Sequence, residues 1–273
     1  VGDYMEESIY DFDELKMYFG EDYWVTDKIC IKQPSIGDII EFGDSKFYRM
    51  LYLFCSNPTS LRLQLWKAGV DWNKISDFEL FSQYLVKSFT PKDTYLLFGD
   101  LNFSWFEYVH DNKKDCDLLI YIPRDSDENA INITYEDAIV IDEIVYMKII
   151  KYLSSMFDIH IKVEHAKNKA TKEAMIWEDE MNLKTEEQKK SKRDYEKSTL
   201  LPLISAMVNH PGFKYKTSEL KEIGIVQFMD SVKRLQTYEN ATALLKGMYS
   251  GFIDVSKDNN LQKQINWIKD LND

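Results

Sequence analysis

Two aspartates, Asp115 and Asp117, stand two apart ahead of the apolar run in "DCDLLIYI". Residues i and i+2 of a strand share a face, so this spacing could bring both carboxylates onto one Mg²⁺ and support phosphoryl transfer. The plainer reading is preferred. It makes them solvent-facing residues at the start of an edge strand, alternating with buried Cys116, Leu118 and Ile120. His160 and His165 lie five apart in "IHIKVEH", a spacing that fits neither a helical metal pair nor a zinc finger. His110 falls at an expected turn, and His210 precedes Pro211 at a helix end. Cys30, Cys55 and Cys116 are far apart, with apolar neighbours and no CxxC, which points to small core residues in a reducing compartment. No GxSxG, P-loop, GxGxxG or HExxH occurs.

The elements that must hold these groups follow from periodicity. "ESIYDFDELKMYFG" predicts a short helix with Ile9, Phe12, Leu15 and Phe19 on one stripe and Gly20 as its stop. "YWVTDKICIKQP" alternates like one strand ended by Pro34, and Ser35 caps "IGDIIEFG". Helices follow in "SKFYRMLYLFC", in "TSLRLQLWKAG", and in "DFELFSQYLVKSF" with Asp77 as cap. From Thr94 the texture turns β-like: "TYLLFG", "LNFSWFEYVH" with a bulge near Trp105-Phe106, "DCDLLIYIP", and a last strand in "INITYEDAIVI". Asp142 caps "EIVYMKIIKYLSSMF", a helix apolar enough to be packed on both sides and to join the two halves. The charge-balanced stretch from Ala166 to Lys197 reads as an exposed or partly exposed helical segment with acid–base pairs such as Glu186/Lys190. In the last third, "STLLPLISAMVNH" stops at Pro211-Gly212, Thr217 or Ser218 caps the next helix, and Gly247 and Gly251 interrupt a third. Trp267 is expected to anchor the end among Ile265, Ile268 and Leu271.

A net charge of −12 argues against nonspecific nucleic-acid binding, which needs a basic surface. Residues 1–130 hold 24 of the 46 acids but only 13 of the 34 lysines and arginines, so the acidity lies in the first half. The helix-turn-helix-like "SELKEIGIVQFMDSVKRLQ" carries too few basic residues to overcome that background. No run reaches the ~18 to 20 apolar residues of a membrane span. A soluble, unsecreted protein is expected.

Two resemblances complete the reading. "FGDLNFSWFEYVHDNKKDCDLLIYI" resembles the nucleotidyltransferase pattern of a paired carboxylate after a Gly-Ser or Gly-Gly turn, but here Gly99 is followed by Asp100. More of the chain is covered by "KICIKQPSIGDIIEFG", "AIVIDEIVYMKIIKYL", "LISAMVNHPGFKYKTSELKEIGIVQFMDSVKRLQ", "LLKGMYSGFIDV" and "NWIKDL". These phrases resemble proteins of the tail-morphogenesis clusters of tailed bacteriophages and prophages of Gram-positive bacteria. The resemblance implies a non-enzymatic tail assembly chaperone that binds the tape-measure protein, and perhaps tail-tube subunits, in the host cytoplasm. A permanent tail or baseplate component and a protein engaging a host defence system are the competing roles.

The expected fold is α+β: an N-terminal half (1–141) of short helices with a small antiparallel sheet, and a helical C-terminal half (142–273). No cofactor, metal, catalytic residue, nucleic acid or membrane is expected to take part. A partner would meet the stripe Ile225, Phe228, Met229, Val232 and Leu235 on a helix over 217–236, together with Phe213 and Tyr215 on the extended link before it. The alternative reading of that stripe is the core of the C-terminal bundle.

Overall fold

The computed structural model describes residues 12–112, 115–121, 138–189, 197–252, 259–269 and 271. Ile9, "RDSDENA", the start of "INITYEDAIVI" and Lys190 of the Glu186/Lys190 pair lie outside them. The architecture is α+β, with small antiparallel sheets in the N-terminal half and helices in the C-terminal half.

Helix α1 (Glu14–Tyr18) starts at Asp13, whose carboxylate accepts the Leu15 and Lys16 amides. It stops at Gly20, which adopts φ +75°. With five residues it buries only Met17, so the expected stripe is corrected: Leu15 and Phe19 are about 70% exposed. The single strand expected next is instead a hairpin of β1 (Tyr23–Trp24) and β2 (Cys30–Ile31). Its turn forms because the Thr26 hydroxyl accepts the Lys28 and Ile29 amides.

Helix α2 (Ile36–Phe42) opens with a reciprocal Ser35/Asp38 capping box, as its sequence predicts. It is followed by α3 (Asp44–Phe54) and α4 (Arg62–Lys67). The cap of α5 (Asp77–Glu79) is Ser76 rather than Asp77, because Glu79 reaches back to the Ser76 amide. The same rod continues as a π-turn over Leu80–Leu85 and a 3₁₀ turn over Val86–Ser88.

"TYLLFG" is not a strand. Thr90 and Asp93 form a capping box around Pro91, and α6 (Pro91–Phe98) results, its local start signal outweighing the branched and aromatic content. At Trp105 the chain makes a 3₁₀ turn (Phe103–Trp105) capped by Asn102 where a bulge was expected.

The sheet has the order β3-β4-β5, all antiparallel: β3 (Glu107–Asp111), β4 (Cys116–Tyr121) and β5 (Ile139–Ile141). Strand β4 is therefore central, not an edge, and its inward residue is Leu119, opposite Tyr108 and Ile141; Cys116, Leu118 and Ile120 are only half-buried. His110 lies within β3 rather than at a turn.

Asp142 caps α7 (Glu143–Phe157) through the Val145 amide, and this helix buries Tyr146, Ile149, Tyr152, Leu153, Met156 and Phe157. Ile144 and Met147 stay partly exposed, so one broad face is packed rather than both sides. Helix α8 (Lys169–Lys189) is largely exposed. It is fastened to the α4 region by Arg62, which forks onto Asp179 and Glu164, and by Lys172 on Asp71 (2.6 Å).

Helix α9 (Leu201–Asn209) ends at His210. After it, the expected cap at Thr217 or Ser218 gives way to a 3₁₀ turn, Leu220–Glu222, and α10 (Ile225–Tyr249) begins only after extended Ile223 and Gly224. The delay has a cause: the Ile36 amide donates to the Ile223 carbonyl (2.9 Å) and the Ile225 amide to the Pro34 carbonyl (3.1 Å). A helical 223 would break that bridge. Gly247 does not interrupt α10, which runs on to Gly251 at φ +76°. Helix α11 (Asn259–Ile265) packs on it. Trp267 meets Tyr238 edge-on (5.5 Å) instead of anchoring an apolar cluster, and Ile268 is 73% exposed.

Side chains from both sides of residue 142 share one core. Phe47, Leu51 and Phe54 belong to the same cluster as Met207, Ile225, Phe228 and Val232. Asp44 adds a polar clasp: its carboxylate accepts from the Ser198 hydroxyl (2.7 Å) and from the Thr199 and Leu200 amides (2.6 and 3.0 Å). Burial works against its ionisation, but these donors outweigh it and hold the carboxyl below its ordinary range. A depressed folded pKa stabilises above the unfolded value of about 3.9 and is lost as pH falls through the folded value. Asp44→Ala is expected to cost about 1 to 2 kcal/mol at neutral pH, a helix-cap magnitude. Urea titrations should show the difference from wild type shrinking as the pH is taken below that unfolded value; a pH-independent difference would contradict the clasp.

Candidate partner-binding groove

A concavity of about 870 Å³ lies where four pieces of chain meet. Helix α1 supplies Leu15 and Tyr18, the end of α7 supplies Met156, Asp158 and His160, α10 supplies Met229, Asp230, Lys233 and Arg234, and the far wall is Ile268 and Leu271. The floor is the shared core: Met17 is 5% exposed, Met156 2% and Ile159 7%. The rim is different. Leu15 and Ile268 expose about 70% of their surface beside the opening.

Asp158 ends α7 in the left-handed region (φ 56°), a conformation that aspartate tolerates better than branched residues. This bend places its carboxylate where Lys233 (2.6 Å) and His160 (3.2 Å) both reach it. Burial opposes its charge, yet the Lys233 hydrogen bond prevails and the pKa is lowered. Burial raises the pKa of the Tyr18 phenol, with Asp230 and Tyr215 adding to the effect and Arg234 opposing it.

The residues expected to meet a partner divide in two. Ile225 and Phe228 are wholly buried and Val232 is 7% exposed, so these three form the inner face of α10. Met229 lines the groove, and Leu235 and Phe213 are partly buried against the core. Phe213 and Tyr215 meet edge-on at 5.5 Å, and Tyr215 keeps 39% exposure. The link carrying them is pinned by the Gly212 amide, which donates to His210 Nδ1 (3.0 Å). Leu15, Tyr18 and Ile268 were missed as site residues. Leu15 and Tyr18 stand on a five-residue helix and Ile268 in a turn after α11, where apolar character reads as core.

Asp115 and Asp117 approach the same imidazole from its two nitrogens, Asp115 lying 3.7 Å from His110 Nε2. Asp115 sits at φ 50° with its side chain 98% exposed, whereas Asp117 accepts from the Tyr108 hydroxyl (2.8 Å) and lies 2.8 Å from His110 Nδ1. Among the described residues, no group of three or more His, Cys, Asp or Glu is placed to hold a metal ion. Cys55 is buried, which pushes its thiol up to about 12; Cys30 and Cys116 are half-buried. A second hollow of about 370 Å³ adjoins Arg62, whose guanidinium is already engaged by Asp179 and Glu164. No helix among the described residues is long and apolar enough to cross a membrane.

The chain is an α+β protein whose C-terminal part is similar to a phage-associated domain. Residues 188–272 match the family model of the YomV second domain, YomV being a protein of Bacillus phages and prophages. No curated protein and no solved structure matches the chain. The matched segment contributes Met229, Lys233, Arg234, Ile268 and Leu271 to the groove, while Leu15, Met156 and Asp158 come from outside it.

Proposed function

We propose that the protein serves phage tail assembly by binding rather than catalysis, holding an amphipathic helix of the tape-measure protein in the host cytoplasm until the tail polymerises. The observation that carries this reading is the exposure of Leu15 and Ile268 on the rim of a groove floored by Met17 and Met156 and walled by Met229. A long amphipathic helix hides its apolar stripe by lying in such a groove. Methionines suit a repetitive partner, because their flexible thioethers repack against several registers. Asp158, Lys233, Asp230 and Arg234 supply the polar border that an amphipathic helix meets beside its stripe. The similarity of residues 188–272 to a phage-associated domain supports the phage setting.

The test is co-expression with the tape-measure protein of the same phage genome, followed by affinity capture. Wild type is expected to retain that protein, and Leu15→Asp to weaken retention about tenfold while leaving the melting temperature unchanged, since a charge at an exposed rim position opposes apolar docking without touching the core. Finished virions should lack the protein. Failure of wild type to retain the tape-measure protein, undiminished capture by Leu15→Asp, or stoichiometric recovery in virions would overturn the proposal.

A further inference from the structure

The four walls of the groove differ in how they are held. Three are rooted in the core, whereas between residues 260 and 271 none of the described residues is buried. Arg234 donates through Nη1 to the carbonyls of Trp267 (3.1 Å) and Lys269 (2.6 Å), and Tyr238 meets Trp267 edge-on at 5.5 Å. Arg234 also approaches Asp230 (3.7 Å), which fixes the guanidinium beside the opening. The helix in this segment has only seven residues, too few to be stable by itself.

We infer that the segment formed by residues 259–269 and Leu271 is a latch whose release widens the groove, so that access to the site is regulated from this segment. This rests on the groove being the partner site. The attachment of the segment supports the latch: it meets α10 through the Arg234 hydrogen bonds and the Tyr238–Trp267 ring contact, and none of its described residues from 260 onward is buried. The Ile268–Leu271 wall is the one that can yield without opening the core. Its apolar side chains then become available to the incoming stripe.

The latch is tested on the full chain without any partner. In Arg234→Ala, backbone amides over 261–269 are expected to exchange about tenfold faster, with those of 225–233 unchanged, because the loss is local rather than global. Binding of the dye 1-anilinonaphthalene-8-sulfonate should rise about twofold as apolar groove surface is uncovered. Trp267→Ala provides an independent variant, since this side chain is 43% exposed and its removal leaves the core intact. Unchanged exchange over 261–269 in both variants, or equal acceleration throughout α10, would overturn the latch. Neither result depends on the tape-measure protein, so a failed latch and a failed partner assignment are told apart.

Discussion

Phe54→Ala is expected to lower the free energy of unfolding by about 3 to 5 kcal/mol, the upper range for a large-to-small change in a core. Phe54 is wholly buried, and its ring lies 4.9 to 5.3 Å from the rings of Phe81, Phe89, Phe98 and Phe103. Those rings come from the π-turn, the bend after it, α6 and the 3₁₀ turn before β3. One deletion therefore removes the common neighbour of four segments, of which the bend and the 3₁₀ turn are also joined by the Ser104 amide donating to the Phe89 carbonyl (2.9 Å). None of the four can slide far into the void, because each is pinned by its own cap or backbone bonds. Tyr52, two residues earlier on the same helix and 54% exposed, is the internal comparison. Tyr52→Ala should stay within about 0.5 kcal/mol of wild type. Urea unfolding of both variants checks the pair, and a loss below about 1 kcal/mol in Phe54→Ala would contradict the packing described.

Gly37→Ala should destabilise by about 1 to 3 kcal/mol, the range for overpacking, although in an isolated helix the same change would stabilise by about 0.5 to 1 kcal/mol. The reversal comes from tertiary contact. A methyl at position 37 would fall 2.7 Å from the Lys221 carbonyl oxygen and 3.2 Å from its Cβ. The first of these atoms is backbone, so no rotamer change relieves the contact; the 220–225 segment must move. Moving it strains the two hydrogen bonds that join Pro34 and Ile36 to Ile225 and Ile223. The expected signature is a lower urea midpoint with faster exchange of the Ile36 and Ile225 amides. A neutral or stabilised Gly37→Ala would show that the two segments are not in contact.

Local chemistry was legible in the sequence wherever one residue decides the outcome. Ser35 and Asp142 cap the helices they were expected to cap, Gly20 stops α1, and His210 ends α9. What escaped was decided at a distance. One exception is local: the stretch from Thr94 read as a strand because its aromatic content outvoted the Thr90/Asp93 box and Pro91, a local start signal that the sequence carries. The start of α10 moved to Ile225 because Ile223 is extended to meet a segment nearly two hundred residues earlier in the chain. Gly247 continued a helix that its propensity disfavours by about 1 kcal/mol, with α11 packed alongside α10.

The groove shows the same division. Met229 could be placed on a helix face from its spacing, but its companions Leu15, Met156 and Ile268 come from three remote segments. Periodicity cannot say whether an apolar residue on a five-residue helix faces inward. Phe228 and Val232 carried the strongest helical pattern and turned out to be buried, whereas Leu15 carried a weak one and is exposed at the rim.

Site-specific photocrosslinking tests the central claim most directly. A benzophenone amino acid is placed at Leu15 on the groove rim and, separately, at Trp177, which is 64% exposed on α8 and does not line the groove. With the tape-measure protein of the same phage present, position 15 is expected to form an adduct with it and position 177 is not. No adduct from position 15, or equal adducts from both, would contradict the assignment of this groove as the partner site.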